Sequence, residues 1–172
     1  YSLSKKSFLM WLKYLCRKIK VVNLSLEHIY GEHDSANKFV QSVIQKIAID
    51  KCVSIDLTYG HQKRDFVYVD DVVKAYEVVI HYAMDNDFSY RSFEIGTGSS
   101  IQIREFVEEV KRQSNSATEL RFGAIPYRDD EIMNSKAEIK ELEMLGWTPE
   151  YDYTKGIKKI ISSYTNKAEI NE

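Results

Sequence analysis

Two side chains at the start of the chain have the types and spacing for proton transfer. Tyr1 and Lys5 stand four residues apart, so on a helix the phenol and the ammonium share one face, a turn from each other. A nearby cation favours the phenolate. It brings a group that ordinarily titrates near ~10 toward the range where it exchanges a proton with an alcohol or sugar oxygen. An ordinary helix start with a solvated lysine has the same pattern, so the pair needs company before it means chemistry. His28 stands where a strand is predicted to end, and open α/β sheets bind ligands beyond the carboxyl ends of their strands. Asn37 and Lys38 fall at a predicted helix start, a natural place for an anion, although capping and solvation explain them equally well.

The elements that must position these groups follow from hydrophobic period. Phe8, Leu9, Leu12, Leu15 and Cys16 recur at three- and four-residue spacing, which predicts a helix from Tyr1 to about Lys18, widened by Trp11. Val21 to Leu26 reads as a strand leading to a turn at Tyr30-Gly31. Asn37 to Asp50 is predicted helical, Ser54 to Thr58 extended, and Asp65 to Val69 extended again. Asp70 or Asp71 is placed to cap a helix over Val72 to Ala83, with Val72, Val73, Tyr76, Val79 and Ile80 as its inward set. Ser92 to Ile95 is a strand stopping at Gly96-Thr97-Gly98, read as a turn because it does not continue as GxGxxG. A helix over Ile103 to Arg112 and a strand near Leu120 to Phe122 come next. Ser135 and Glu138 suggest a capping box for a helix ending at Gly146, and Thr154 to Tyr164 is the last amphipathic helix. Strand and helix alternate throughout, which predicts an α/β layered fold with a largely parallel sheet.

Composition narrows the function classes. The 172 residues are 44% hydrophobic and 29% charged with a net charge of −2, the balance of a globular domain, and give no support to a nucleic-acid partner. Cys16 and Cys52 are the only cysteines, with no CxxC and no histidine cluster at ligand spacing, so neither a disulfide framework nor a metal site is expected. No apolar run reaches the ~18 residues of a membrane span and no signal peptide is visible, which implies a cytoplasmic protein.

The motifs occur in a telling order. Tyr-Ser-Leu-Ser-Lys (Tyr1 to Lys5) is followed by His28-Ile29-Tyr30-Gly31, then by Arg64-Asp65-Phe66-Val67-Tyr68-Val69-Asp70-Asp71, then by Ile95-Gly96-Thr97-Gly98. That order resembles the second half of the NAD-dependent epimerase/dehydratase family, a branch of the extended short-chain dehydrogenases, from Tyr1 to about Tyr164. The runs Leu26 to Gly31, Asn37 to Val40, Gln62 to Phe66, Phe122 to Ile125, Arg128-Asp129, Glu131 to Met133 and Tyr151 to Tyr153 look like one group within it, the CDP-abequose synthases, which reduce a CDP-4-keto-3,6-dideoxy sugar. Ser25 and His28 stand where many relatives carry arginine and asparagine. That departure counts against the generic epimerase reading and leans toward the reductases, with 4-epimerase or dehydratase chemistry of the same family as the alternative.

The resemblance implies a division of labour. Residues 1–31 and about 65–98 would end a Rossmann-like dinucleotide-binding domain. Residues about 32–64 and 99–166 would form a smaller α/β domain for the nucleotide sugar, with 167–172 a frayed polar tail. Tyr1 would donate the proton to the sugar C4 oxygen, and Lys5 would hold the nicotinamide ribose and tune Tyr1. Tyr30 would also lie at the cofactor, NAD or NADP, whose glycine-rich fingerprint is expected upstream of Tyr1. A diphosphate asks for cations and bidentate guanidinium groups, and Arg64 and Arg128 match the family positions for that role, with Asn37, Lys38 and His28 beside the substrate. Arg64 has an alternative, a surface pair with Asp65 or Asp70. The broad apolar faces of the first helix and of Val72 to Ala83 suit a homodimer, as in relatives. Without the fingerprint half, the alternative to an enzyme is a non-catalytic nucleotide-sugar-binding fragment.

Overall fold

A computed structural model of the chain describes residues 2–170, with side chains described for residues 3–164. The elements run α1 (Ser2–Leu15), β1 (Val21–Leu26), β2 (His28–Tyr30), α2 (Phe39–Ile44) with a π-helical continuation (Gln45–Ile49), β3 (Ser54–Leu57), β4 (Lys63–Arg64) and β5 (Phe66–Tyr68). They continue as α3 (Val69–Asp85), β6 (Tyr90–Ile95), β7 (Ile101–Gln102), α4 (Ile103–Gln113), β8 (Glu119–Phe122), α5 (Lys140–Met144) and α6 (Tyr153–Ile170). The pairs β1–β6, β2–β5 and β3–β8 are parallel, and β4–β7 is antiparallel. A parallel pair needs a crossover, and helices lie between the two strands of each one. The architecture is therefore α/β, as the alternation predicts.

β5 is the hinge of the packing. All three of its residues are buried, and their side chains alternate between two cores. Phe66 and Tyr68 enter the first, where Phe66 stacks on Phe106 at 4.3 Å between ring centroids and Tyr30 stands edge-on to both. Helices α2, α4 and α6 close this core with Ile44, Ile47, Val107, Val110, Ile157 and Ile160. Val67 enters the second core, with Val72, Ala75 and Val79 of α3, Phe93 and Ile95 of β6, and Leu142 and Trp147.

Several local expectations yield to long-range contacts. The third helix starts at Val69 rather than Val72, and neither Asp70 nor Asp71 caps it. Asp71 is fully buried, and its carboxylate instead accepts the backbone N–H groups of Glu150 (3.0 Å) and Tyr151 (2.9 Å). The inward face of α3 is Val72, Ala75 and Val79, whereas Val73, Tyr76 and Ile80 are exposed, because the apolar stripe is wider than the surface covering it. Ser135 and Glu138 form no capping box. Ser135 donates to Glu27 at 2.7 Å, the Glu138 N–H donates to Glu94 at 2.8 Å, and the helix begins only at Lys140. On α1, Leu3, Phe8, Met10, Trp11 and Tyr14 are exposed, and only Leu9, Leu12 and Cys16 are partly covered.

Candidate functional site

The frame of the site is built by carboxylates turned inward. Asp65, between β4 and β5, is fully buried and accepts the N–H groups of Thr97 (2.7 Å), Gly98 (3.0 Å) and Ala137 (3.2 Å), plus the Thr97 hydroxyl (2.6 Å). This ties the end of β6 and the segment before α5 to the start of β5. Gly96 is required there. A Cβ would collide with the Asp65 carboxylate and lie 2.6 Å from the Ala137 Cβ. The Gly96-Thr97-Gly98 turn is thus a structural clasp rather than a phosphate loop.

Beside that frame lies a cavity of about 640 Å³. One wall is a stripe of the second helix and its continuation, Phe39, Ser42, Val43 and Lys46, at the i, i+3, i+4, i+7 spacing of a single helix face. Strand β3 supplies Ile55, Asp56 and Leu57, and His28 of β2, Arg64 of β4 and Gln62 just before it complete the frame side. The loop after β8 contributes Pro126, Arg128 and Glu131. Four of the residues singled out from sequence, His28, Asn37, Arg64 and Arg128, therefore converge here from four separate segments.

Their states differ. Arg64 is 9% exposed; its Nη2 meets Glu131 at 2.5 Å, and its Nη1 donates to the carbonyls of Lys63 (2.8 Å) and Ile132 (2.5 Å). The surface pair with Asp65 or Asp70 does not form, since Asp65 is turned inward and Asp70 holds Lys159 at 2.6 Å. His28 lies edge-on to Phe66, with Nδ1 3.7 Å from Glu27. Burial first, and the Arg64 charge second, favour the neutral ring and hold its pKa below the usual histidine value, against the opposing pull of Glu27. Arg128 is exposed, and neither it nor Lys46 makes an ion pair among the described residues.

Other expected residues lie elsewhere. Lys38 does not line the cavity and pairs with Asp34 at 2.9 Å. Tyr30 is 1% exposed in the first core, its hydroxyl 3.4 Å from the Asp152 carbonyl, and burial pushes its pKa well above the ordinary tyrosine value. Lys5 sits on the exposed α1, away from the cavity lining, and Tyr1 lies outside the described residues. Lys46, Gln62 and Glu131 were not picked out from sequence as site residues. The helical spacing from Phe39 was the available signal for Lys46. Among the described residues no group of three histidine, cysteine or acidic side chains could hold a metal, and no helix is long and apolar enough to cross a membrane.

A cavity lined by Arg64 and Arg128 beside a parallel α/β frame, reached through these motifs, points to a class. Residues 1–96 match the model of the NAD dependent epimerase/dehydratase family. The chain is 42% identical over 141 residues to CDP-abequose synthase of Salmonella muenchen, spanning 82% of this chain and 47% of that protein. It is 38% identical over 145 residues to CDP-abequose synthase of Salmonella typhimurium, spanning 83% and 48%. The crystal structure of UDP-glucose 4-epimerase from Thermotoga maritima with UDP-glucose superposes with a TM-score of 0.83 at 24% identity, covering 98% of this chain and 54% of that one. The chain belongs to the NAD-dependent epimerase/dehydratase family. It spans about half the length of the relatives it matches.

Proposed function

We propose that this chain carries the nucleotide-sugar half of a cytoplasmic, nicotinamide-dependent reductase acting on the 4-keto group of a CDP-linked deoxysugar. The observation that supports it is the convergence of His28, Asn37, Arg64 and Arg128 on one 640 Å³ cavity. Arg128 and the uncommitted N–H donors of Arg64 face the diphosphate, Asn37 lies at the same end, and His28 presents a neutral imidazole to the sugar. Lys38, held by Asp34, is outside the lining and takes no part.

The described residues do not by themselves fit a dinucleotide. Tyr30 is shut in the core, and the sequence holds no GxGxxG turn. NAD or NADP supplies the hydride in this family's chemistry. Tyr1 gives the proton to the C4 oxygen, and the ammonium of Lys5, four positions on in the sequence, favours its release.

Calorimetry on the chain tests the assignment. A CDP-sugar is expected to bind measurably and NAD(P)H negligibly, and equal affinity for both would overturn it. In an enzyme that turns over a 4-keto sugar, Tyr1→Phe is expected to abolish turnover with nucleotide-sugar affinity retained. A homodimer joined through α1 and α3 follows from their exposed Phe8, Trp11, Val73, Tyr76 and Ile80. Sedimentation should show a dimer that Trp11→Glu converts to monomer.

A further inference from the structure

Lys46 is a charge of the cavity lining that no carboxylate takes up among the described residues. Arg64 and Glu131 meet at 2.5 Å with both side chains largely buried, so as a pair they offer the cavity donors but no net charge. His28 is held toward its neutral form by burial. Asp56 lies 3.8 Å from Arg121, a residue outside the lining that also pairs with Glu119 at 3.2 Å. Two cations of the lining remain without an ion pair among the described residues, Arg128 on the loop after β8 and Lys46 on the continuation of α2. A nucleoside diphosphate sugar carries two negative charges on its diphosphate. Lys46 and Arg128 are lining cations that no carboxylate engages among the described residues, and so are available to it.

We infer that Lys46 is a diphosphate ligand, acting with Arg128 of the same lining, while Arg64 contributes hydrogen bonds and holds the Glu131 loop. This rests on the cavity being the nucleotide-sugar site. Lys46 has the means to do it: it ends the Phe39, Ser42, Val43, Lys46 stripe, and its flexible stem carries a compact point charge suited to phosphate. The Arg64–Glu131 pair also explains why a second cation is needed. An arginine already neutralised by a carboxylate attracts an anion far less than a bare one does.

The test is titration of the full chain with CDP, CMP and cytidine at low and high salt, for the wild type, Lys46→Gln, Lys46→Arg and the control Lys18→Gln on a distant exposed position. Lys46→Gln is expected to weaken CDP roughly tenfold or more, the scale of one charged hydrogen bond, and to leave cytidine unchanged. Its salt dependence for CDP should be shallower than that of the wild type. Lys46→Arg should recover much of the affinity, and Lys18→Gln should match the wild type. CDP affinity within twofold of wild type in Lys46→Gln overturns the role of Lys46 while leaving the site reading intact. An equal loss for cytidine and CDP also overturns it, because the lysine would then act on the base or the fold. A wild-type chain that binds none of the three compounds sinks the site reading and the lysine together.

Discussion

The two tryptophans report on two differently finished regions of the molecule. Trp147 is 3% exposed in the core of β5, β6 and α3, and its indole N–H donates to the Asp71 carbonyl at 3.0 Å. Trp11 is 64% exposed on α1 and touches the edge of Tyr14, with ring centroids 6.2 Å apart. The region around Trp147 and the cavity closes on itself, with carboxylates turned inward to meet backbone donors. The region of α1 and β1 does not. β1 pairs with β6 alone among the described residues, and most of the apolar side of α1 faces outward. Stability should therefore reside in the first region, and whatever α1 contributes should come through a contact with another surface.

The largest effect that would break this comparison is a direct exchange of the two indoles. Trp147→Ala is expected to cost about 3–5 kcal/mol, the usual range for emptying a buried aromatic site. Trp11→Ala should stay within ~0.5 kcal/mol in the monomer, as surface changes do. Urea denaturation at low protein concentration measures both, and similar losses at the two sites would refute the contrast. A smaller effect is expected at Asp71. Asp71→Ala strips the acceptor from the Glu150 and Tyr151 N–H groups and should cost about 2 kcal/mol. Asp71→Asn keeps one acceptor and should cost less. The Trp147 bond goes to the backbone of Asp71, so an Asp71→Ala chain that exposes Trp147 to quencher while still folded would show that the two features are one.

Much of this was legible where period and packing agree. Ile103, Phe106, Val107 and Val110 follow the helical period and are all buried on α4. The Arg64–Asp71 run was recognisable as a motif, and His28, Asn37, Arg64 and Arg128 were picked out before their convergence was visible. What stayed hidden were pairings made across long stretches of chain. Arg64 takes Glu131, 67 positions on, rather than an adjacent aspartate. Ser135 turns to Glu27, 108 positions back, rather than to its own helix. Asp71 pins a distant loop instead of capping α3. In each case a local rule about capping or neighbouring charge loses to a partner remote in sequence that only the tertiary fold supplies. Lys46 escaped for the opposite reason, since a single lysine on an amphipathic helix has the same local pattern as any solvated face.

The smallest predicted effect sharpens the comparison from the cavity side. His28 sits on β2, the strand paired with β5, and its pKa is lowered by burial and by Arg64. In the unfolded chain it returns to about 6.5. As pH falls below that value, the unfolded state takes a proton before the folded state does, so stability declines between the unfolded pKa and the lowered folded one. If the cavity takes the diphosphate sugar as proposed, CDP binding should move the other way, because a protonated His28 adds a positive charge to the cavity lining. From about pH 7.5 to about 5.5, across the histidine range, the urea midpoint should fall more steeply for the wild type than for His28→Gln. CDP affinity should rise for the wild type more than for that variant. Parallel slopes in both measurements would remove His28 from the cavity's electrostatics. A change in the stability slope alone would make it a packing residue of β2 that the ligand never meets.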